Sequence, residues 1–285
     1  MEAKWNRASK ARPCVICGKP DYCGYSSDES VAVCMRVKSD RPTKNGGWLH
    51  KTGDPIPEAA QRVVVKQKLT DAQLHNRFAP LVRQWFVGKS EIVGRLAAKL
   101  GVSKASLDAL CVGWKWRAWT FPERNAAGLF IGVTQRSVDG TKRCVLSSRR
   151  GLTFADGWDG YEGPAVIVEG GSDVAALLTM GLCAIGRPSN VGGCAMLVKL
   201  LRGCKRKIIV MGENDHKDDG LWPGRDGALR VSYFLAHRLI DRKVLTRFPP
   251  SNHKDVRAFL NATKVDPEDD LACRKVGKSL MRRLA

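Results

Sequence analysis

The 285-residue chain is long enough for one sizeable core plus a small appended module, and its 48 Lys and Arg against 28 Asp and Glu leave a formal charge of +20. So basic a chain attracts polyanions, nucleic acid above all. No apolar run reaches the roughly 18 residues of a membrane span, and the start lacks the apolar core of a secretory signal, so a soluble, cytoplasmic protein with no membrane partner is expected.

Four of the ten cysteines fall between Cys14 and Cys34. Such clustering in a chain without a secretory signal favours metal over disulfides. Cys14 and Cys17 make a tight knuckle, followed by two expected strands, around 22–25 and 31–35, joined by a polar turn. This is a zinc-ribbon layout, in which Zn²⁺ takes four tetrahedral ligands: Cys14, Cys17, Cys34 and a fourth. The fourth is a choice between Cys23 and His50, with Cys23 favoured because it lies on the adjacent strand and brings a charge-balancing thiolate. Val37 stands where a second knuckle would place a cysteine. Tyr25 and Trp48 are candidates for stacking bases of single-stranded DNA on this platform. The remaining cysteines, Cys111, Cys144, Cys183, Cys194, Cys204 and Cys273, read as buried thiols.

Pro55, Pro57 and a stretch without sustained periodicity mark an interdomain linker at 53–68. Thr70 with Gln73 forms a capping box, Ser90 reads as the next N-cap and Gly101 as a helix end, so residues 70 to about 111 are expected to be helical. Ala97 to Leu110 also fits a helix-turn-helix. Alternating apolar and polar residues around Gly128 and the Asp139–Gly140 turn then predict antiparallel strands. Arg124, Arg136, Lys142, Arg143, Arg149 and Arg150 fall on the rim of that sheet, placed to follow a nucleic-acid backbone or bind nucleotide phosphates.

After Gly163 the pattern becomes buried strands alternating with helices, the signature of a parallel α/β sheet. Strands are expected at 165–168, 183–186, 207–211 and 243–248, with helices from Ser172, near 194–201, from Asp226 to Leu239, and shortly after Lys254. Two of these strands run straight into carboxylates. Val166 to Val168 ends in Glu169, Gly170, Gly171, Ser172 and Asp173, with Ser172 placed to cap the next helix; Ile208 to Met211 leads into Glu213 and Asp215. Ligands gather at the carboxyl ends of parallel strands, and three oxygen-bearing acids there suit Mg²⁺ or Mn²⁺.

These residues resemble the Toprim domain shared by DnaG-type primases, topoisomerases and some nucleases. Glu169–Gly170, the Glu213 and Asp215 pair, the Gly224–Arg225 start of a helix and Lys254–Asp255 look like its successive motifs. Glu213 stands where that family has Asp, and His216 to Trp222 are inserted before Gly224. Trp119 to Gly132 and Leu100 to Trp114 resemble the segment before Toprim in primases, so the likeness runs in primase order over nearly the whole chain. It implies an α/β Toprim fold, a Rossmann-like parallel sheet, with an N-terminal zinc-ribbon module (1–52), a linker (53–68), a mixed α+β basic subdomain (69–160) and the Toprim domain (161–285). It further implies a DNA primase that makes short RNA primers by Mg²⁺-dependent nucleotidyl transfer. Catalysis would fall to Glu169, Glu213 and Asp215, Zn and Mg (or Mn) would be the cofactors, and Arg225 and Lys254 would join the nucleotide-binding residues. Single-stranded DNA and nucleoside triphosphates would be partners, with a replicative helicase a further one. A Toprim nuclease and a non-catalytic DNA-binding replication-accessory protein are the alternatives.

Overall fold

The computed structural model describes residues 5–43, 46–53, 69–161, 163–250 and 252–284. The chain divides into two compact units, Met1–Lys68 and Leu69–Ala285. Of the expected linker, residues 54–68 lie outside the described residues.

The first unit is one antiparallel sheet of four short strands in chain order: β1 (Trp5–Arg7), β2 (Gly24–Ser26), β3 (Val31–Cys34) and β4 (Trp48–Lys51). The β2–β3 turn closes through Asp28, whose Oδ1 accepts from the Ser30 amide at 3.2 Å. The buried centre comprises Ala8, Tyr25, Ala32 and Val37 together with Cys14, Cys23 and Cys34. So few apolar side chains do not stabilise a fold by burial alone, which makes the cysteines part of the architecture.

The second unit begins with α1 (Asp71–Phe86), capped by the reciprocal Thr70–Gln73 bonds that the sequence predicts. Its apolar face, Leu74, Phe78, Val82 and Trp85, repeats at helical spacing and packs on Ile131 and Val133. Next come α2 (Ser90–Leu100) and α3 (Lys104–Ala109). Ser90 is the first residue of α2 and makes no cap; Lys89 takes the cap position without a side-chain bond. Gly101 ends α2 in the left-handed region (φ +67°) as expected. The six-residue α3 is no recognition helix: Leu107 is fully buried and belongs with Leu96 and Leu177 in one core.

A second antiparallel sheet follows, β5 (Gly113–Lys115), β6 (Ala118–Arg124), β7 (Phe130–Ser137) and β8 (Lys142–Cys144), again in chain order. The chain then enters a parallel sheet of β9 (Ala165–Glu169), β10 (Ala184–Arg187), β11 (Ile208–Met211) and β12 (Val244–Arg247), in the order β10-β9-β11-β12. The connecting helices are α4 (Gly171–Thr179), α5 (Cys194–Leu201) and α6 (Pro223–Arg238), and the chain ends in α7 (Val256–Ala262) and α8 (Asp270–Leu284).

Both faces of the parallel sheet are covered, which explains its uninterrupted apolar strands. Val166, Val168 and Met211 face α4 together with α2, α3, α7 and α8. Ile167, Ile185, Ile208 and Val210 face α5 and α6. Trp119 and Phe121 of β6 share the first of these cores, so the antiparallel and parallel sheets are joined within one unit. Ser172 lies inside α4 and does not cap it; Gly170, at φ +86°, turns the chain from β9 into the helix. The α6 helix starts at Pro223, three residues before Asp226.

Candidate active site and metal centre

In the first unit the Cys14–Cys17 knuckle is set by backbone bonds from Gly18 N to Cys14 O (2.7 Å) and from Cys14 N to Lys19 O (2.9 Å). Strands β2 and β3 bring Cys23 and Cys34 opposite it, and the four sulfur atoms lie within 4.8 Å of one another. Four ligands about 2.3 Å from a tetrahedral zinc stand roughly 3.8 Å apart, and Cys17 and Cys23 are separated by 3.8 Å. Cys34 Sγ accepts from the amides of Arg36 (3.4 Å) and Val37 (3.2 Å), and Cys23 Sγ from that of Met35 (3.4 Å). Amide donors of this kind stabilise thiolates and orient them for a metal. Unaided, the sulfurs conflict: the hydrogen bond from Cys34 holds the Cys14 thiol down at about 4, while burial pushes Cys23 up to about 11. A divalent cation removes that conflict, and the donor set fits Zn²⁺.

His50 is not a ligand, since it lies on β4 with Nε2 3.1 Å from the Val37 carbonyl. Val37 itself is buried in the core and gives Cys34 only its amide. Tyr25 is also a correction, because it is buried and its hydroxyl donates to the Pro13 carbonyl, which leaves no face for a base. Among the other cysteines, Cys183 and Cys273 are buried, Cys111, Cys194 and Cys204 partly so, and Cys144 is exposed on the edge strand β8.

In the second unit, β9 continues through α4 on one face of the sheet, whereas β11 continues through α6 on the other. Adjacent strands that diverge in this way leave a crevice at their carboxyl ends. Glu169 closes β9 and Glu213 follows β11, so both stand at this crevice. Both line a cleft of about 510 Å³, together with Asp173 and Asp255. Its cationic wall is Arg136, Lys142, Arg143 and Arg150 from the antiparallel sheet and the loop that follows it, with Arg187, Lys254 and Arg257 from the parallel half.

Negative charge is crowded here. Burial, then Glu169, pushes the Glu213 carboxyl above its usual range, against a partial offset from Lys254, whose Nζ is 3.9 Å away. Asp173, enclosed in α4, is raised further by burial and by Asp255 and Glu213, and its Oδ1 has no hydrogen-bond partner among the described residues. The sequence pattern points to Glu169 and Glu213 and misses Asp173 as a member of the site. The signal is its position four residues after Glu169, in the first turn of α4. Asp255 caps α7 by accepting from the Ala258 amide at 2.7 Å.

Asp215 sits beside this group but does not line the cleft; its Oδ1 accepts from the Gly224 amide at 2.8 Å, at the start of α6. Among the described residues only the four thiols bring three or more metal-donor atoms into range of a single ion. The carboxylates are gathered around the crevice without converging on one point. A collection of acids with one ammonium group near Glu213 and an unpartnered buried oxygen nevertheless has the donor chemistry that hard divalent cations require.

The basic residues divide. Arg124 is a correction: it is 5 % exposed, pairs with Asp156 at 2.5 and 3.2 Å and stacks on Phe130, so it builds the core and not the rim. Arg149 is tied to Asp71 and the Leu69 carbonyl. Arg150 grips the buried Glu123 at 2.9 and 3.0 Å while still reaching the cleft. Arg136, Lys142 and Arg143 form no ion pair among the described residues. Arg225 donates to Asn214 Oδ1 at 2.8 and 3.1 Å and lies over the rings of Trp222 and Phe248, outside the cleft.

A zinc-ribbon-like sheet with four clustered thiols, and a parallel α/β sheet whose acids face a basic antiparallel sheet, make up a fold that is similar to solved primase structures. Solved DnaG structures match it. The DnaG catalytic core superposes with a TM-score of 0.52 at 16 % identity, over 71 % of this chain and 79 % of that one. The DnaG primase catalytic domain bound to single-stranded DNA gives 0.53 at 16 %, over 72 % and 81 %. The zinc-binding and RNA polymerase domains of Aquifex aeolicus primase give 0.53 at 13 %, over 91 % and 76 %. No protein-family model matches the chain, and no curated protein matches its sequence. Among the described residues no helix is long and apolar enough to cross a membrane.

Proposed function

We propose that the chain is a DnaG-type DNA primase, which synthesises short RNA primers on a single-stranded DNA template from nucleoside triphosphates. The observation that carries this reading is the placement of Glu169 and Glu213 at the switch point of the parallel sheet, across a cleft from the free cations Arg136, Lys142 and Arg143. One side of that cleft suits a cation and the other a polyanion. The fold shared with DnaG polymerase domains, one of them solved with single-stranded DNA, supports the same reading.

Glu169 and Glu213, with Asp215 behind them, would hold Mg²⁺ or Mn²⁺, and Cys14, Cys17, Cys23 and Cys34 would hold Zn²⁺. Bound there, the divalent cation supplies charge neutralisation for a triphosphate attacked at its α-phosphorus by a 3′-hydroxyl. Lys254 tempers the Glu213 charge and faces the same cleft, so it suits a nucleotide phosphate. Arg136, Lys142 and Arg143 would follow the template backbone. Glu169, which forms no ion pair among the described residues, would bind the metal or help move the proton of the attacking hydroxyl. The zinc unit would act as a rigid platform for DNA, a structural part and not a reacting one.

Incubation with single-stranded DNA, labelled ribonucleotides and Mg²⁺ separates the readings. Short RNA products support the primase; shortened DNA identifies a nuclease; retained DNA with neither product identifies a binding protein.

A further inference from the structure

Arg187 is the largest fully buried side chain among the described residues, at 2 % exposure, and it closes β10 directly beside Glu169 in the β9–β10 register. A guanidinium offers five N–H donors, yet among the described residues this one makes a single hydrogen bond, from Nη1 to the Asn190 carbonyl. Its Nε is buried without a partner, and no carboxylate lies within ion-pair distance of it among the described residues. Burial lowers its pKa while Glu169 and Glu213 oppose that shift, so the charge is held in place at a desolvation cost with no ion pair in return. Arg187 nonetheless lines the cleft, next to Pro188 and Ser189. Arg150 braces this wall by donating to the Pro188 carbonyl.

We propose that Arg187 is an anion-binding residue of the cleft that takes a terminal phosphoryl group. That the group belongs to the triphosphate or pyrophosphate of a nucleotide rests on the primase reading. An unpaired guanidinium is completed by a planar pair of phosphate oxygens, the geometry for which arginine is suited above lysine. The depth of the residue selects the ligand. A terminal phosphate is an end group and reaches a deeply buried cation, whereas an internal phosphodiester carries a sugar on each side and is kept at the mouth, where Arg136, Lys142 and Arg143 stand. The cleft thus sorts its phosphates by depth.

The test uses the zinc-loaded full chain with no added divalent cation, so that neither Mg²⁺ nor catalysis enters, with tripolyphosphate as the probe and a 5′-hydroxyl oligodeoxynucleotide as the control for phosphodiesters. Calorimetry should show tripolyphosphate binding weakened by about tenfold or more in Arg187→Met and by less in Arg187→Lys. Oligonucleotide affinity should stay within about twofold of wild type in both. Should Arg187→Met fail to fold, the wild type still reports through Cys194, a half-buried thiol close enough to Arg187 for their charges to interact. Tripolyphosphate should slow its alkylation, followed by peptide mass spectrometry, because an added anion disfavours the thiolate. Unchanged tripolyphosphate affinity in folded Arg187→Met, equal weakening for both ligands, or an unaltered Cys194 rate would overturn the assignment. Arg187-dependent tripolyphosphate binding in a protein that makes no primers would leave the subsite standing and remove the primase reading instead.

Discussion

Glu213 shows how much a single residue reports about this site. Its carboxyl is raised by burial and by Glu169, so its proton is held more tightly in the folded chain than in the unfolded one. The contribution to stability is intact below the unfolded value of about 4.3 and is lost as pH rises through the higher folded value. Without added Mg²⁺, Glu213→Gln should therefore melt above wild type at neutral pH, and the two should converge as pH falls below the ordinary carboxylate range. Mg²⁺ should raise the wild-type melting temperature more than that of the variant. A variant that melts below wild type at pH 7 would show that the acids are not under mutual repulsion. The positions of Glu169 and Glu213 were legible because a buried strand ending in an acid is a local pattern. Arg187 and Asp173 were not, because their burial comes from elements far away in the chain that close over them.

At the scale of elements, periodicity located every strand of the parallel sheet and missed α8. The buried face of α8, Cys273, Gly277, Leu280 and Leu284, repeats at helical spacing, but Gly277 interrupts its apolar character. That glycine is needed, since a Cβ there would lie 2.4 Å from the Met180 carbonyl oxygen. The Ser90 and Ser172 caps failed for a related reason: the turn before each helix is made by a glycine or by packing, so the serine falls inside the helix. Gly101 was read correctly, and the structure adds a second constraint. It is left-handed, and a Cβ would come 2.2 Å from Asn261 Oδ1, whose side-chain amide donates to the Leu100 carbonyl at 3.1 Å and so ties α7 to the end of α2. Gly101→Ala should cost about 1–3 kcal/mol by urea denaturation, through backbone strain together with displacement of Asn261 from the α2 terminus. A cost below about 0.5 kcal/mol would mean that α7 moves freely away from the α2 terminus.

For the whole molecule, two compact units imply two kinds of dependence. The first unit has few apolar side chains and four clustered thiols, so it should contain about one zinc per chain and lose its structure on chelation, while the unit from Leu69 keeps its melting transition. Circular dichroism and elemental analysis of wild type and Cys14→Ser check this, and a first unit that stays folded without metal would contradict it. Charge sets the second dependence: affinity for single-stranded DNA should fall steeply with salt. Combined replacement of Arg136, Lys142 and Arg143 by Ala should flatten the log–log slope by about 0.7 for each phosphate no longer neutralised. Arg124 is excluded from this set by its burial against Asp156. An unchanged slope would place the template on another face.

Primer synthesis on single-stranded DNA with ribonucleotides and Mg²⁺, comparing wild type with Glu169→Gln, tests the primase reading most directly. Glu169 is chosen because it stands at the switch point, lines the cleft and holds no ion pair among the described residues, so its replacement removes charge without breaking a salt bridge seen there. Short RNA products are expected from the wild type. A fall of about 100-fold or more is expected in the variant, with zinc content and DNA affinity retained. Absence of RNA products from the wild type, or full activity in Glu169→Gln, would contradict the reading.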